Sequence, residues 1–269
     1  MKKLIIILTV LLSTIIVSCD VLMPMLEEAN KAINTENGSV ISDVLSNEEI
    51  INGLKKALAV GTDTAVSITS TLNGYYGDNL LRILLPPEAK VVTENLSKIP
   101  YGQKMVNDAV LSMNRAAEDA ATAAKPIFIN AITSMSITDG ITILKGKNPM
   151  AQTGGQTFDS TAATGFLKSA TYSSLYTAFK PKINNSLEKK LVGNISTNQV
   201  YGNLTGAFNK IAPFIGKEKV NSDLSDYVTG KALDGLFLKV ADEEKKIRKD
   251  PYKWSVDIIQ KVFGSVFKK

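Results

Sequence analysis

From Ile50 to Phe263 apolar residues recur three and four positions apart, and no hairpin dipeptide separates two alternating runs. A period near 3.6 lines up one face of a helix, whereas a half-buried strand needs a period of two. Ser46-Asn47-Glu48-Glu49 is a capping box, with Ser46 as N-cap and Glu49 three residues on. Ile50, Leu54, Ala57, Leu58, Ala65 and Ile68 follow it at helical spacing. The pattern predicts further helices over 87–99, 104–124, 138–144, 162–178 and 197–212. Pro126 should kink or restart the helix over 104–124, which continues through Met135, and Pro181 should kink the helix that continues to Leu187 and Leu191. Asp223 is placed to cap a long helix whose inward stripe is Tyr227, Val228, Leu233, Leu236, Phe237, Val240 and Ala241, and Pro251 stops it. A terminal amphipathic helix uses Trp254, Ile258, Ile259, Val262 and Phe263. Residues 72–87, with Gly74, Gly77 and a Pro-Pro pair, read as a long, partly buried connection, and 145–160 as a surface loop. The expected fold is one all-α domain of about nine to eleven helices over residues 45–269.

Composition removes several chemistries. The 269 residues include no His and one Cys. A Ser-His-Asp triad, an imidazole base, a His-built metal site, an internal disulfide and a Cys-clustered zinc or iron–sulfur site are therefore excluded. With 44% hydrophobic and 21% charged residues the chain is globular rather than disordered. No cofactor motif stands out.

The N-terminus carries an address. Lys2 and Lys3 precede a run, Leu4 to Val17, that is apolar apart from Thr9, Ser13 and Thr14. It is short for a membrane span and has the form of an export signal. It ends in Ile16-Val17-Ser18-Cys19, which resembles the bacterial lipobox. That resemblance implies cleavage after residue 18, a diacylglyceryl thioether on Cys19, and an acylated amine. Buried acyl chains, at about 0.8 kcal/mol per methylene, would hold the protein on a membrane. Residues 1–18 are then a lipoprotein signal peptide and 19–44 a lipid-anchored tether. The expected location is the bacterial cell envelope, facing the periplasm, with the choice of membrane open. Loss of Lys2 and Lys3 lowers the formal charge from +5 to +3, too mild for a nucleic-acid footprint. The expected partners are the membrane, through Cys19, and a small molecule, lipid or protein.

Several blocks stand in a familiar order: residues 45–57, Asn73-Gly74-Tyr75-Tyr76-Gly77, Ser112-Met113-Asn114-Arg115-Ala116-Ala117-Glu118, Lys125-Pro126-Ile127-Phe128, Lys231-Ala232-Leu233-Asp234-Gly235-Leu236-Phe237 and Glu243-Glu244-Lys245-Lys246-Ile247-Arg248. Together, over about residues 45–263, they resemble a bacterial family catalogued only as a domain of unknown function, many of whose members carry signal or lipoprotein sequences. The resemblance implies an all-helical exported domain and transfers no catalytic residue.

Four local patterns have simpler explanations. The stretch Gly140 to Asn148 fails the phosphate-loop spacing and has no preceding strand. Ser186-Leu187-Glu188-Lys189 matches Ser-x-x-Lys, but its companion motifs are missing. Asn221, Asp223 and Asp226 miss the EF-hand spacing and suit helix capping. Lys245, Lys246, Arg248 and Lys249 could face anionic lipid, but Glu243 and Glu244 among them favour a solvated helix face, with Glu244 and Arg248 as an i,i+4 pair. Asp63-Thr64-Ala65 is a candidate O-glycosylation triplet if Thr64 faces outward.

The most informative polar set is Asn114, Arg115 and Glu118 with Lys231 and Asp234, each group lying within an apolar helix. If those helices pack together, Arg115 can fork onto Glu118 or Asp234. One reading is a buried polar network that fixes helix register. The other is a pocket in which Arg115 and Lys231 hold an anionic group and Tyr75 or Tyr76 closes over it. Two functions follow: a non-enzymatic envelope lipoprotein that binds a partner, or a His-free hydrolase or lyase using a carboxylate, Arg and Lys pocket. The missing His and the incomplete signatures favour the first.

Overall fold

The computed structural model describes residues 45–90, 100–150, 157–190, 195–216 and 218–267. The leader, Cys19 and the tether expected over 1–44 lie outside the described residues, as does Leu191. The described residues contain eight α-helices: α1 (Asn47–Ser70), α2 (Gly102–Ala121), α3 (Ala124–Thr133), α4 (Ile137–Leu144), α5 (Ala162–Leu187), α6 (Thr197–Ile211), α7 (Leu224–Lys249) and α8 (Asp257–Phe267). Three 3-10 turns, Pro87–Ala89, Ala212–Ile215 and Pro251–Lys253, join them. The only strand-like pairing among the described residues is an isolated bridge between Lys190 and Ser196. The fold is all-α, as expected. Among the described residues the count is eight against the nine to eleven expected: residues 91–99 of the helix expected over 87–99 lie outside them, and Pro181 does not divide α5.

Local chemistry sets the boundaries. Ser46 Oγ accepts the Glu49 N–H at 3.2 Å, and Glu49 accepts the Ser46 N–H at 2.8 Å, which starts α1. The same reciprocal box starts α4 with Ser136 and Asp139, and α6 with Ser196 and Gln199. Pro126 has no N–H to give Thr122, and its ring would meet the Thr122 carbonyl. The helix accordingly ends at Ala121 and restarts at Ala124. Pro181, by contrast, is accommodated inside α5, which runs unbroken through it. Asp223 caps α7 by accepting the Asp226 N–H at 3.0 Å.

The core forms where α7 lies along both α1 and α5, with α2 on α5 and α3 between α1 and α5. Ala116, Ala117, Ala120 and Ala121 are fully buried. Their small side chains let α2 approach its neighbours closely. Phe128 and Phe237 meet edge to face at 5.9 Å. No single helix among the described residues is long and apolar enough to cross a membrane. The pair α3 and α4 reaches the length only across a bend of 104°.

The end of α7 departs from the expected solvated face. Glu243, Glu244 and Arg248 are buried. The reason is helical period: the inward stripe Leu233, Leu236, Phe237, Val240 continues to Glu243, Glu244, Ile247 and Arg248. Glu244 replaces the missing side-chain cap of α5. Its two oxygens accept the N–H groups of Ala163 at 3.0 Å and Thr164 at 2.8 Å, and the Thr164 hydroxyl at 2.8 Å. Arg248 donates to Glu244 at 2.9 Å and to the last carbonyls of α4, Ile143 at 2.9 Å and Leu144 at 3.3 Å. A carboxylate thus meets a helix N-terminus and a guanidinium meets a helix C-terminus, the favourable order for both dipoles. Arg248→Ala leaves Glu244 buried without its cation and should cost about 3–5 kcal/mol in denaturant unfolding. Lys249→Ala, exposed on the same helix, should stay within about 0.5 kcal/mol. Equal effects would contradict the stitching role.

Candidate functional site

The connection from Thr71 to Pro86 carries the site. After α1 the chain turns sharply, with Asn73 in the left-handed region at φ 67°. Gly74 follows because a Cβ there would lie 2.2 Å from the Ile68 carbonyl oxygen. The turn drives Tyr75 into the core, where it is fully buried and its hydroxyl donates to the Ala232 carbonyl of α7 at 2.6 Å. Gly235 makes the room, since a Cβ would sit 2.8 Å from the Tyr75 ring. Burial, reinforced by the Glu118 charge, pushes the Tyr75 phenol well above its ordinary range.

One face of α2 supplies the groups that this irregular backbone lacks. A single oxygen of Glu118 accepts the N–H groups of both Tyr75 and Tyr76, each at 3.1 Å. Its other oxygen accepts Arg115 at 2.5 Å, and Arg115 also donates to the Asn73 side chain at 2.8 Å. One turn earlier, Asn114 is fully buried. Its oxygen accepts the Ile83 N–H at 2.9 Å, and its amide donates to the Ile83 and Val110 carbonyls, both at 2.8 Å. Asn114 therefore pairs with Ile83 as a neighbouring strand would. Tyr76 is half-buried, with the Arg82 guanidinium 4.9 Å and the Arg115 guanidinium 5.8 Å from its ring.

The structure brings together Asn114, Arg115, Glu118, Tyr75 and Tyr76. It does not bring Lys231 or Asp234 to them. Both are exposed. Lys231 lies 5.9 Å from the Tyr227 ring, and Asp234 pairs loosely with Lys168 at 3.6 Å. Position 231 falls at the edge of the face formed by the buried Val228, Ala232, Gly235 and Leu236 on α7 and position 234 turns away from it, while Arg115 forks onto Glu118 and Asn73. Tyr75 is turned into the core, and Tyr76 lies against the Arg82 and Arg115 guanidinium groups. Asn73, Arg82 and the Ile83 backbone belong to the site although their sequence context gave no warning of it.

The remaining sequence features have local uses. Asp223 and Asp226 face Lys180 at 2.8 and 3.3 Å. Thr64 is half-buried on α1, and its hydroxyl donates to the Val60 carbonyl at 2.9 Å. Ser186 and Lys189 straddle the end of α5. Elsewhere, a small, partly open concavity lies against Leu54, Leu58, Val240, Ile247 and Phe263. The Glu244–Arg248 pair forms part of its wall. No group of three acidic, His or Cys residues among the described residues is placed to hold a metal.

The geometry defines an all-helical domain in which polar side chains of α2 clamp an irregular connection. Its family model is that described as "protein of unknown function (DUF4197)", which matches residues 44–264, and the chain belongs to this family. No curated protein and no solved structure matches it.

Glu118→Ala strands two peptide N–H groups and should cost about 2–5 kcal/mol in denaturant unfolding. Lys231→Ala and Asp234→Ala should each stay within about 0.5 kcal/mol. An equal loss at Lys231 would mean that it shares the network. The Lys239 ammonium, 2.6 Å from Asp78, outweighs burial and, with the Leu80 and Leu81 amides, holds that carboxyl below its ordinary 3.8. A depressed folded value means the unfolded chain binds the proton more readily. This pair's contribution is therefore present above pH 3.8 and lost as the pH falls below it. Asp78→Asn should flatten that part of the stability–pH curve.

Proposed function

We propose that this chain is a bacterial envelope lipoprotein, held on a membrane by acyl chains on Cys19, whose helical domain is a non-catalytic binding or interaction module. The observation that carries the non-catalytic half is the employment of the buried charges. Among the described residues these are Glu118, Glu243, Glu244 and Arg248. Glu118 holds the Tyr75 and Tyr76 amides, Glu244 and Arg248 hold helix ends, and Glu243 accepts Lys246 at 2.6 Å. General acid–base chemistry needs a titrating group within reach of substrate, and these groups are engaged with the fold itself. The hydrolase or lyase reading has less support, because Lys231 and Asp234 stand outside the Glu118 cluster.

The anchoring half rests on the Lys2-Lys3 start, the apolar run and Ser18-Cys19. Cells fed a labelled fatty acid should place the label on the wild-type chain. Cys19→Ala should lose the label and retain the leader. An unlabelled wild type, or a labelled Cys19→Ala variant, would overturn the anchor. Native mass spectrometry of gently extracted protein should show a retained partner or lipid, whereas turnover of an ester, amide or glycosidic substrate by the purified chain would overturn the non-catalytic assignment.

A further inference from the structure

The clamp has an outward consequence. From Leu80 to Leu84 the chain alternates: Leu81 and Ile83 are 3% and 2% exposed, while Leu80 and Leu84 are 78% and 60% exposed with Arg82 between them. Asn114 fixes the inward side through Ile83. The outward side is held as firmly: Arg82 donates to the Tyr76 carbonyl at 2.6 Å, and Tyr227 donates to the Leu84 carbonyl at 3.2 Å. Lys231 lies 5.9 Å from that same Tyr227 ring. Two leucine tips and two cations are thus presented on a braced frame rather than on a loose loop.

We propose that Leu80, Arg82, Leu84 and Lys231 form a docking surface for the headgroup region of an anionic phospholipid bilayer. Charge complementarity selects this occupant. Two carboxylates near the stripe among the described side chains face other cations, Asp78 with Lys239 at 2.6 Å and, more loosely, Asp234 with Lys168 at 3.6 Å. The stripe is therefore apolar and cationic. That combination suits leucines entering the acyl boundary while guanidinium and ammonium groups meet phosphates. Leu72, 72% exposed on the same connection, adds apolar surface. Chain length permits the approach. The stripe lies beyond the far end of α1, whose 24 residues span about 36 Å. Residues 19–44 number 26, a contour of roughly 90 Å when extended. That limit on reach exceeds the length of α1. This inference rests on the membrane attachment proposed above only for bringing the domain to a lipid surface.

The test uses the lone Trp. The full chain carrying Trp254→Phe receives either Leu80→Trp or, as a control on the exposed face of α5, Ser174→Trp. Each is purified from membranes and reconstituted in vesicles of phosphatidylethanolamine and phosphatidylglycerol with brominated acyl chains. Quenching should be roughly three-fold stronger at position 80 than at 174, as expected for a side chain at the acyl boundary. It should fall by about half or more when Arg82→Gln and Lys231→Gln are added, or when phosphatidylcholine replaces the anionic lipid. Lys231→Gln alone should leave melting unchanged, whereas Arg82→Gln gives up the bond to the Tyr76 carbonyl and should lower it somewhat, so the exchange of lipid on the unaltered stripe carries the charge test independently. Equal quenching at both positions would overturn the proposal. So would insensitivity to lipid charge, or shielding of position 80 that follows protein concentration without lipid, which marks a protein partner. The mass of the Cys19 peptide from the same sample separates the two ideas. Acylation without quenching sinks the stripe alone, and quenching without acylation sinks the anchor alone.

Discussion

Two peptide N–H groups outside any helix, those of Tyr75 and Tyr76, end on one carboxylate oxygen of Glu118. The Tyr75 amide is buried and that of Tyr76 part-buried, and a buried donor without an acceptor costs about 1–3 kcal/mol. With the acceptor in place the turn after α1 can bury Tyr75 against α7, and the chain can run on to Ile83, where Asn114 takes over. Remove the carboxylate and the turn loses the acceptor of both tyrosine amides, while Asn114 still holds Ile83. The arginine beside it matters less for charge than for geometry: Arg115 ties the second oxygen to Asn73, the residue at positive φ.

The same device recurs at the other end of α7. Glu244 serves the first amides of α5, and Arg248 the last carbonyls of α4. In both places a charged side chain supplies what secondary structure leaves unpaired, a helix end in one case and an irregular segment in the other. These groups look like active-site residues when read as residue types. Their partners make them parts of the frame. Function is then sought on the outside, where the frame holds Leu80, Arg82 and Leu84 toward solvent.

Much of this was legible beforehand. The Ser46 box, the Asp223 cap and the restart near Pro126 act through local backbone geometry, which sequence encodes directly. The all-α class was legible too, as was the resemblance over about residues 45–263 to a family of unknown function, whose model matches residues 44–264. The pairing of Arg115 with Glu118 is an i,i+3 contact and equally local. What failed was non-local. Asn114 bonds to backbone atoms of Ile83, and a backbone acceptor leaves no mark in the residue types of either segment. Lys231 and Asp234 were misplaced because their facing depends on how α7 is rotated against α1 and α5. The burial of Glu243, Glu244 and Arg248 was readable, since they extend the stripe of Leu236 and Val240. The dense mixed charge after Ala241 drew attention from that period.

Amide hydrogen exchange tests the central claim most directly, because it reports on each N–H separately. In the full chain the amides of Tyr75, Tyr76 and Ile83 should exchange as slowly as those in the middle of α5, although none belongs to a helix. Glu118→Gln should speed Tyr75 and Tyr76 while leaving Ile83, held by Asn114, nearly unchanged. Rapid exchange of all three in the unaltered protein, at the rate of ordinary loop amides, would contradict the account.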